Sequence, residues 1–189
     1  MRRTIMVLAV LVTGSSTLPG QAPTWKPELR PFVGASVPTG GQRDLFKDAA
    51  MFGVQGALEL RPTFHVLGTL NWVPAHNRYA GADENVSIFA YDVGIEKGLV
   101  RPLVNGWELR PFFGVGAGAR TYAYKSSSLK DQTCVAGYGA LGTELQLRRV
   151  ALRLEGRDNL YCFKSPVGGV ESVTRSDFGF ALGLAYHFR

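Results

Sequence analysis

No run of 18 or more apolar residues occurs in the 189-residue sequence, so no helix of it is built to cross a bilayer. Charged residues make up 19%, below the usual quarter. Two cysteines, Cys134 and Cys162, are too few for a disulfide-dense scaffold or a cysteine-built metal centre. Three histidines, His65, His76 and His187, stand apart, and no serine sits beside one in a nucleophile–base pattern. The formal charge of +6 is scattered, with no basic stripe interleaved with aromatics, which argues against nucleic acid as a partner. Gly114, Gly116 and Gly118 precede no helical pattern and so form no nucleotide loop. No cofactor, metal or catalytic residue is expected, and the chain is not expected to be an enzyme.

What the sequence has in quantity is alternation of period two. From Phe178 the last stretch sets Phe178, Phe180, Leu182, Leu184, Tyr186 and Phe188 on one face, and Gly179, Ala181, Gly183, Ala185 and His187 on the other. That is a β-strand with one bulky apolar face and one small-residue face. Working from the N-terminus, residues 1–22 read as a secretory signal: Arg2 and Arg3, then an apolar centre at Ile5–Val12, then small and polar residues. Its cleavage lies near Ala22 or near Gly14–Ser16. Residues 23–189 form one domain.

Seven further alternating segments precede the last one: about Glu28–Val37, Phe52–Leu60, Phe64–Trp72, Phe89–Glu96, Glu108–Tyr122, Cys134–Leu147 and Val150–Asn159. That makes eight strands, each near the ~10 residues that span a bilayer at a tilt. Connections after the second and sixth are two or three residues, those after the first, third, fifth and seventh about eight to twelve. The connection Lys97–Trp107 is the exception at the short-turn end, and Pro74–Asn85 reads as a long loop. Short turns at one end and long loops at the other suit an up-and-down barrel with both termini at the short-turn end. Glu28-Leu29-Arg30-Pro31-Phe32 recurs as Glu108-Leu109-Arg110-Pro111-Phe112, both at strand starts, with the prolines expected near a rim.

Alternation does not by itself say which face is outside. Three features place the apolar face in lipid. Glycine and alanine share a face with the charges, as the narrow interior of an eight-stranded barrel requires. The charged face carries both signs: Glu59, Asp92, Glu96, Glu108, Glu144 and Glu155 with Arg110, Arg120, Arg153 and Arg157, a set that can pair as an interior network. Aromatics gather near strand ends, Trp25 and Trp107 at one, Trp72, Tyr79, Tyr122 and Tyr124 at the other, in the manner of interfacial girdles.

On strand count, turn asymmetry and the terminal Leu184-Ala185-Tyr186-His187-Phe188, residues 28–188 resemble the small bacterial outer-membrane β-barrels of OmpA/OmpX type. The resemblance implies an all-β, eight-stranded antiparallel transmembrane barrel in the outer membrane. Its partners would be outer-membrane lipid and the barrel-assembly machinery, which reads the final strand. The family usually ends on an aromatic residue, whereas here Arg189 follows Phe188.

Pairing Leu147 with Val150 puts residue 135 opposite Cys162 and makes the two cysteines neighbours at the loop end. A disulfide between Cys134 and Cys162 is expected if the register is lost at the rim, since strict alternation sets them on opposite faces. The expected function is a non-enzymatic outer-membrane barrel with a polar, plugged interior and outward loops, in a structural or surface-interaction role. The alternatives are a secreted lipocalin-like barrel lined by the apolar face, and a lipid-modifying outer-membrane enzyme.

Overall fold

A strand in lipid must find hydrogen-bond partners along both edges, because no water is there to satisfy an open edge. A computed structural model of the chain, describing residues 25–61, 63–77, 84–125, 131–163 and 173–188, shows this met by a closed ring. The strands are β1 (Lys26–Pro38), β2 (Ala49–Arg61), β3 (Phe64–Asn77), β4 (Glu84–Gly98), β5 (Trp107–Tyr124), β6 (Gln132–Leu147), β7 (Val150–Phe163) and β8 (Val173–His187). Every neighbouring pair is antiparallel. The order β4-β3-β2-β1-β8-β7-β6-β5 is closed by pairing of β4 with β5, from Val86 opposite Tyr124 to Gly98 opposite Phe112. A two-residue strand, Arg101–Pro102, hangs from the start of β5.

The β3–β4 hairpin is longer than the sequence reading allowed. Pairing runs through Pro74 opposite Ser87 to Asn77 opposite Glu84, so part of the expected Pro74–Asn85 loop is strand and His76 lies on β3. Proline is tolerated there because β2 stops pairing with β3 at Trp72, leaving Pro74 at an edge with no ladder on that side to break. Pro31 behaves similarly. The β1–β8 pairing resumes in the same register after a gap at Arg30 and Pro31.

The faces sort as lipid demands. Outward side chains such as Leu70, Val93 and Leu141 are 60%, 69% and 69% exposed, forming an apolar belt. All six final-strand residues, Phe178, Phe180, Leu182, Leu184, Tyr186 and Phe188, are exposed on this belt. A soluble barrel lined by these residues would need the opposite arrangement, so that alternative is corrected.

Two further expectations are corrected. Tyr122 and Tyr124 are not girdle residues. They are buried inside the barrel, because they continue the inward parity of Phe112 and Arg120 along β5. Trp25, Trp72 and Trp107 are exposed at the belt's margins, and Tyr79 lies outside the described residues. The second correction concerns the disulfide between Cys134 and Cys162: both are free, Cys134 buried and Cys162 exposed. Pairing of β6 with β7 holds its register up to Ala136 opposite Tyr161, so alternation keeps the two sulfurs on opposite faces of the wall.

Candidate functional site

Charges converge in the barrel interior, and the arrangement is built by parity. β1 contributes Glu28 and Arg30, β2 Gln55, β3 His65 and Thr69, β4 Asp92 and Glu96, and β6 Glu144. β7 contributes Arg153, Glu155 and Arg157, and β8 Asp177; all of these are buried. Buried charge must be paired and hydrogen-bonded or the fold does not tolerate it.

Every carboxylate and guanidinium of this set is paired, while both ring nitrogens of His65 and Nε2 of His187 make no hydrogen bond. Arg30 donates to Glu28 at 2.5 Å, to Gln55 at 3.0 Å and to Glu96 at 3.3 Å. Arg153 donates to Glu96 at 2.5 Å and Glu155 at 2.8 Å, and lies 3.4 Å from Glu144. Arg157 donates to Asp92 at 3.1 Å and Glu155 at 3.0 Å. His187 Nδ1 stands 2.8 Å from Glu28, and His65 Nε2 stands 3.4 Å from the same carboxylate. Nearer the loop end, Arg120 binds Asp177, which also accepts from Asn159 at 2.9 Å. Each buried carboxylate of this set therefore holds a guanidinium.

The arginines also have shelves. The Arg153 guanidinium carbon sits 3.6 Å from the centre of the Phe112 ring, and that of Arg157 3.9 Å from the centre of Tyr138. Each ring lies over a glycine directly across the ladder, Gly142 opposite Phe112 and Gly116 opposite Tyr138. Glycine here supplies room for a flat ring, the ring supports the cation, and the cation gathers carboxylates from two strands (Arg157) or three (Arg153).

Of the ten charged residues expected in the interior, Asp92, Glu96, Arg120, Glu144, Arg153, Glu155 and Arg157 are buried within it. Glu59, Glu108 and Arg110 are not. They occupy the short-turn rim, Glu59 with Lys26 at 3.6 Å and Glu108 with Arg110 at 3.0 Å, because Glu59 lies near the end of β2 and Glu108 and Arg110 at the start of β5. Glu28, Arg30 and Asp177 join the network from outside the expected set. The signal for the first two was the repeated Glu-x-Arg, since Arg30 reaches Glu28 as Arg110 reaches Glu108, two residues back. Asp177 continues the final strand's small-residue face one step before Gly179.

Above the network the interior turns apolar, which the sequence reading did not foresee. Val73, Ala75, Val86, Ile88, Tyr122, Tyr161 and Phe163 pack together under Phe46. Phe46 comes from the β1–β2 connection, which folds back over the mouth. Its ring centre is 5.9 Å from that of Tyr122 and 6.1 Å from that of Phe163. A backbone bond from Lys47 to His76 and a side-chain bond from Thr39 to the Ser176 carbonyl tie this connection to β3 and β8. The signal was Leu45-Phe46 inside an otherwise polar loop. Three small cavities among the described residues, of about 30, 20 and 10 Å³, are of the order of single water molecules. Among the described residues no group of three or more His, Cys, Asp or Glu is arranged to hold a metal ion.

No protein-family model and no curated protein matches the sequence. Solved structures do match in fold. Neisserial surface protein A superposes with a TM-score of 0.58 at 11% identity, over 87% of this chain and 97% of that one. The outer membrane protein OprG of Pseudomonas aeruginosa gives 0.55 at 14% identity, over 87% and 96%. Ail, the attachment invasion locus protein of Yersinia pestis, gives 0.50 at 12% identity, over 87% and 98%. With its closed ring, charged interior and exposed apolar belt, the chain has the fold of the small eight-stranded outer-membrane β-barrels.

Proposed function

We propose that this protein is a non-enzymatic outer-membrane barrel whose filled interior is structural and whose outward connections carry its role at the cell surface. The observation behind this reading is the continuous filling of the lumen: a paired charge network in the half near the short turns, and an aromatic plug closed by Phe46 at the mouth. An eight-stranded ring has too little lumen for an aqueous channel once it is packed this way. With every interior carboxylate engaged and the histidines held among carboxylates, no group is poised for acid–base or nucleophilic work. The names of two similar structures, a surface protein and an attachment invasion protein, accord with a surface-interaction role. Residues 1–22 would direct secretion, and they lie outside the described residues. The exposed final strand, Phe178 to Phe188, would be the segment read by the barrel-assembly machinery.

The test is flux. Liposomes carrying the reconstituted full chain are expected to retain small sugars as well as empty liposomes do. Sustained conductance in a planar bilayer would overturn the plugged reading. An altered envelope lipid composition in a deletion strain would overturn the non-enzymatic one.

A further inference from the structure

A large concavity among the described residues lies not inside the barrel but on its outer wall at the short-turn end. It is an open groove of about 1080 Å³ between the β4–β5 connection and the β6–β7 turn. Its floor is a row of leucines set side by side across three strands, Leu145 opposite Leu152 and Leu152 opposite Leu184. Trp107 and the left-handed pair Asn105 and Gly106 form one wall, fixed by the 2.7 Å bond from Leu103 N–H to the Trp107 carbonyl. Arg148 and Arg149, the whole of the β6–β7 turn, stand exposed at the open end. Neither guanidinium has a carboxylate partner among the described residues. The acids of this rim are taken already, Glu59 by Lys26 and Glu108 by Arg110.

An apolar floor continuous with the lipid belt, an indole at its margin, and two unpaired guanidiniums at headgroup height match one kind of molecule. Acyl chains lie on the leucines and a phosphate meets the arginines, whose planar donors suit phosphate oxygens. Excess positive charge favours a headgroup that is itself anionic. We propose that this groove is a binding site for an anionic glycerophospholipid of the periplasmic leaflet. The site rests on the membrane-barrel reading but would be a selective site on it, beyond general lipid contact.

The experiment is native mass spectrometry of the full chain released from nanodiscs holding equal phosphatidylglycerol and phosphatidylethanolamine. The wild type is expected to retain phosphatidylglycerol in preference, by roughly fivefold for each guanidinium. Arg148→Gln with Arg149→Gln should bring the two lipids to parity, and Arg149→Gln alone should lie between. Lys97→Gln with Arg101→Gln, at the same height but outside the groove, should keep the preference. No preference in the wild type, or equal loss in both double variants, would overturn the site. So would displacement of the lipid by soluble glycerol 3-phosphate, which would make the arginines alone the ligand-binding element. Heat-modifiable gel mobility is read on every sample. A wild type without that shift would refute the membrane barrel itself, a failure distinct from that of the groove.

Discussion

Arg153 and Glu96 meet across the lumen at 2.5 Å, though 57 positions separate them in the chain. Neither strand touches the other in the ladder, so the pair binds opposite parts of the wall through its middle. Glu96 also accepts from Arg30, and Arg153 also reaches Glu144 and Glu155, so one pair joins β1, β4, β6 and β7.

Removing one member should be costly. Arg153→Met leaves three carboxylates buried with fewer partners, and a broken buried pair typically costs about 3–5 kcal/mol. The urea midpoint of the reconstituted barrel, followed by heat-modifiable mobility, should fall accordingly. Arg110→Met, which breaks only the rim pair with Glu108, should cost at most about 1 kcal/mol. Equal effects would mean that the interior network adds no more than a surface contact.

The aromatic shelves depend on the glycines beneath them. A Cβ at Gly116 would clash with the Val93 carbonyl oxygen and lie 2.5 Å from Tyr138 Cε1, so Gly116→Val must strain the β4–β5 ladder and push the ring, and with it Arg157, out of place. Overpacking of this kind costs about 1–3 kcal/mol. Gly139, outward on β6, has no heavy atom within 4 Å of such a Cβ, and Gly139→Val should leave the urea midpoint unchanged.

The outward face should tolerate apolar change and reject charge. Leu182 is 49% exposed on the belt, between Val33 and Leu154 on the flanking strands. Leu182→Arg should lower the amount of protein in outer-membrane fractions, given a cost of roughly 2–4 kcal/mol near mid-membrane. Leu182→Phe should assemble at wild-type levels. Normal levels of the arginine variant would reverse the assignment of faces.

The cysteines give a chemical check on the register. With Cys134 inward and buried and Cys162 outward and exposed, reductant should not change the mobility of the folded protein. N-ethylmaleimide, followed by peptide mass, should modify Cys162 in the folded barrel and Cys134 only after denaturation. Recovery of a linked pair of cysteine peptides without reductant would show that the β6–β7 register is lost at the rim.

Parity was legible because it is local. Each residue's side is fixed by its neighbours along the strand, and a buried face tolerates no slip of one residue. Eight alternating segments with short turns at one end were therefore enough to give the barrel, its outward belt from Phe178 to Phe188, and the inward direction of Glu96, Arg153 and Arg157. Whether a strand continues past Pro74 depends on whether β2 is still beside it, and the chain near Pro74 does not contain that information. Height within the barrel is likewise set by stagger between strands. Glu59 and Glu108 have inward parity yet sit at the rim, and Tyr122 has the same parity yet lies in the plug. The partners across the lumen, Arg30 with Glu96 and Phe46 with Tyr122, follow from closure of the ring, which brings distant strands face to face. The sequence by itself determined which way each side chain of the wall points. Only the tertiary structure decided what it meets there, because contact depends on the curvature and stagger of all eight strands at once.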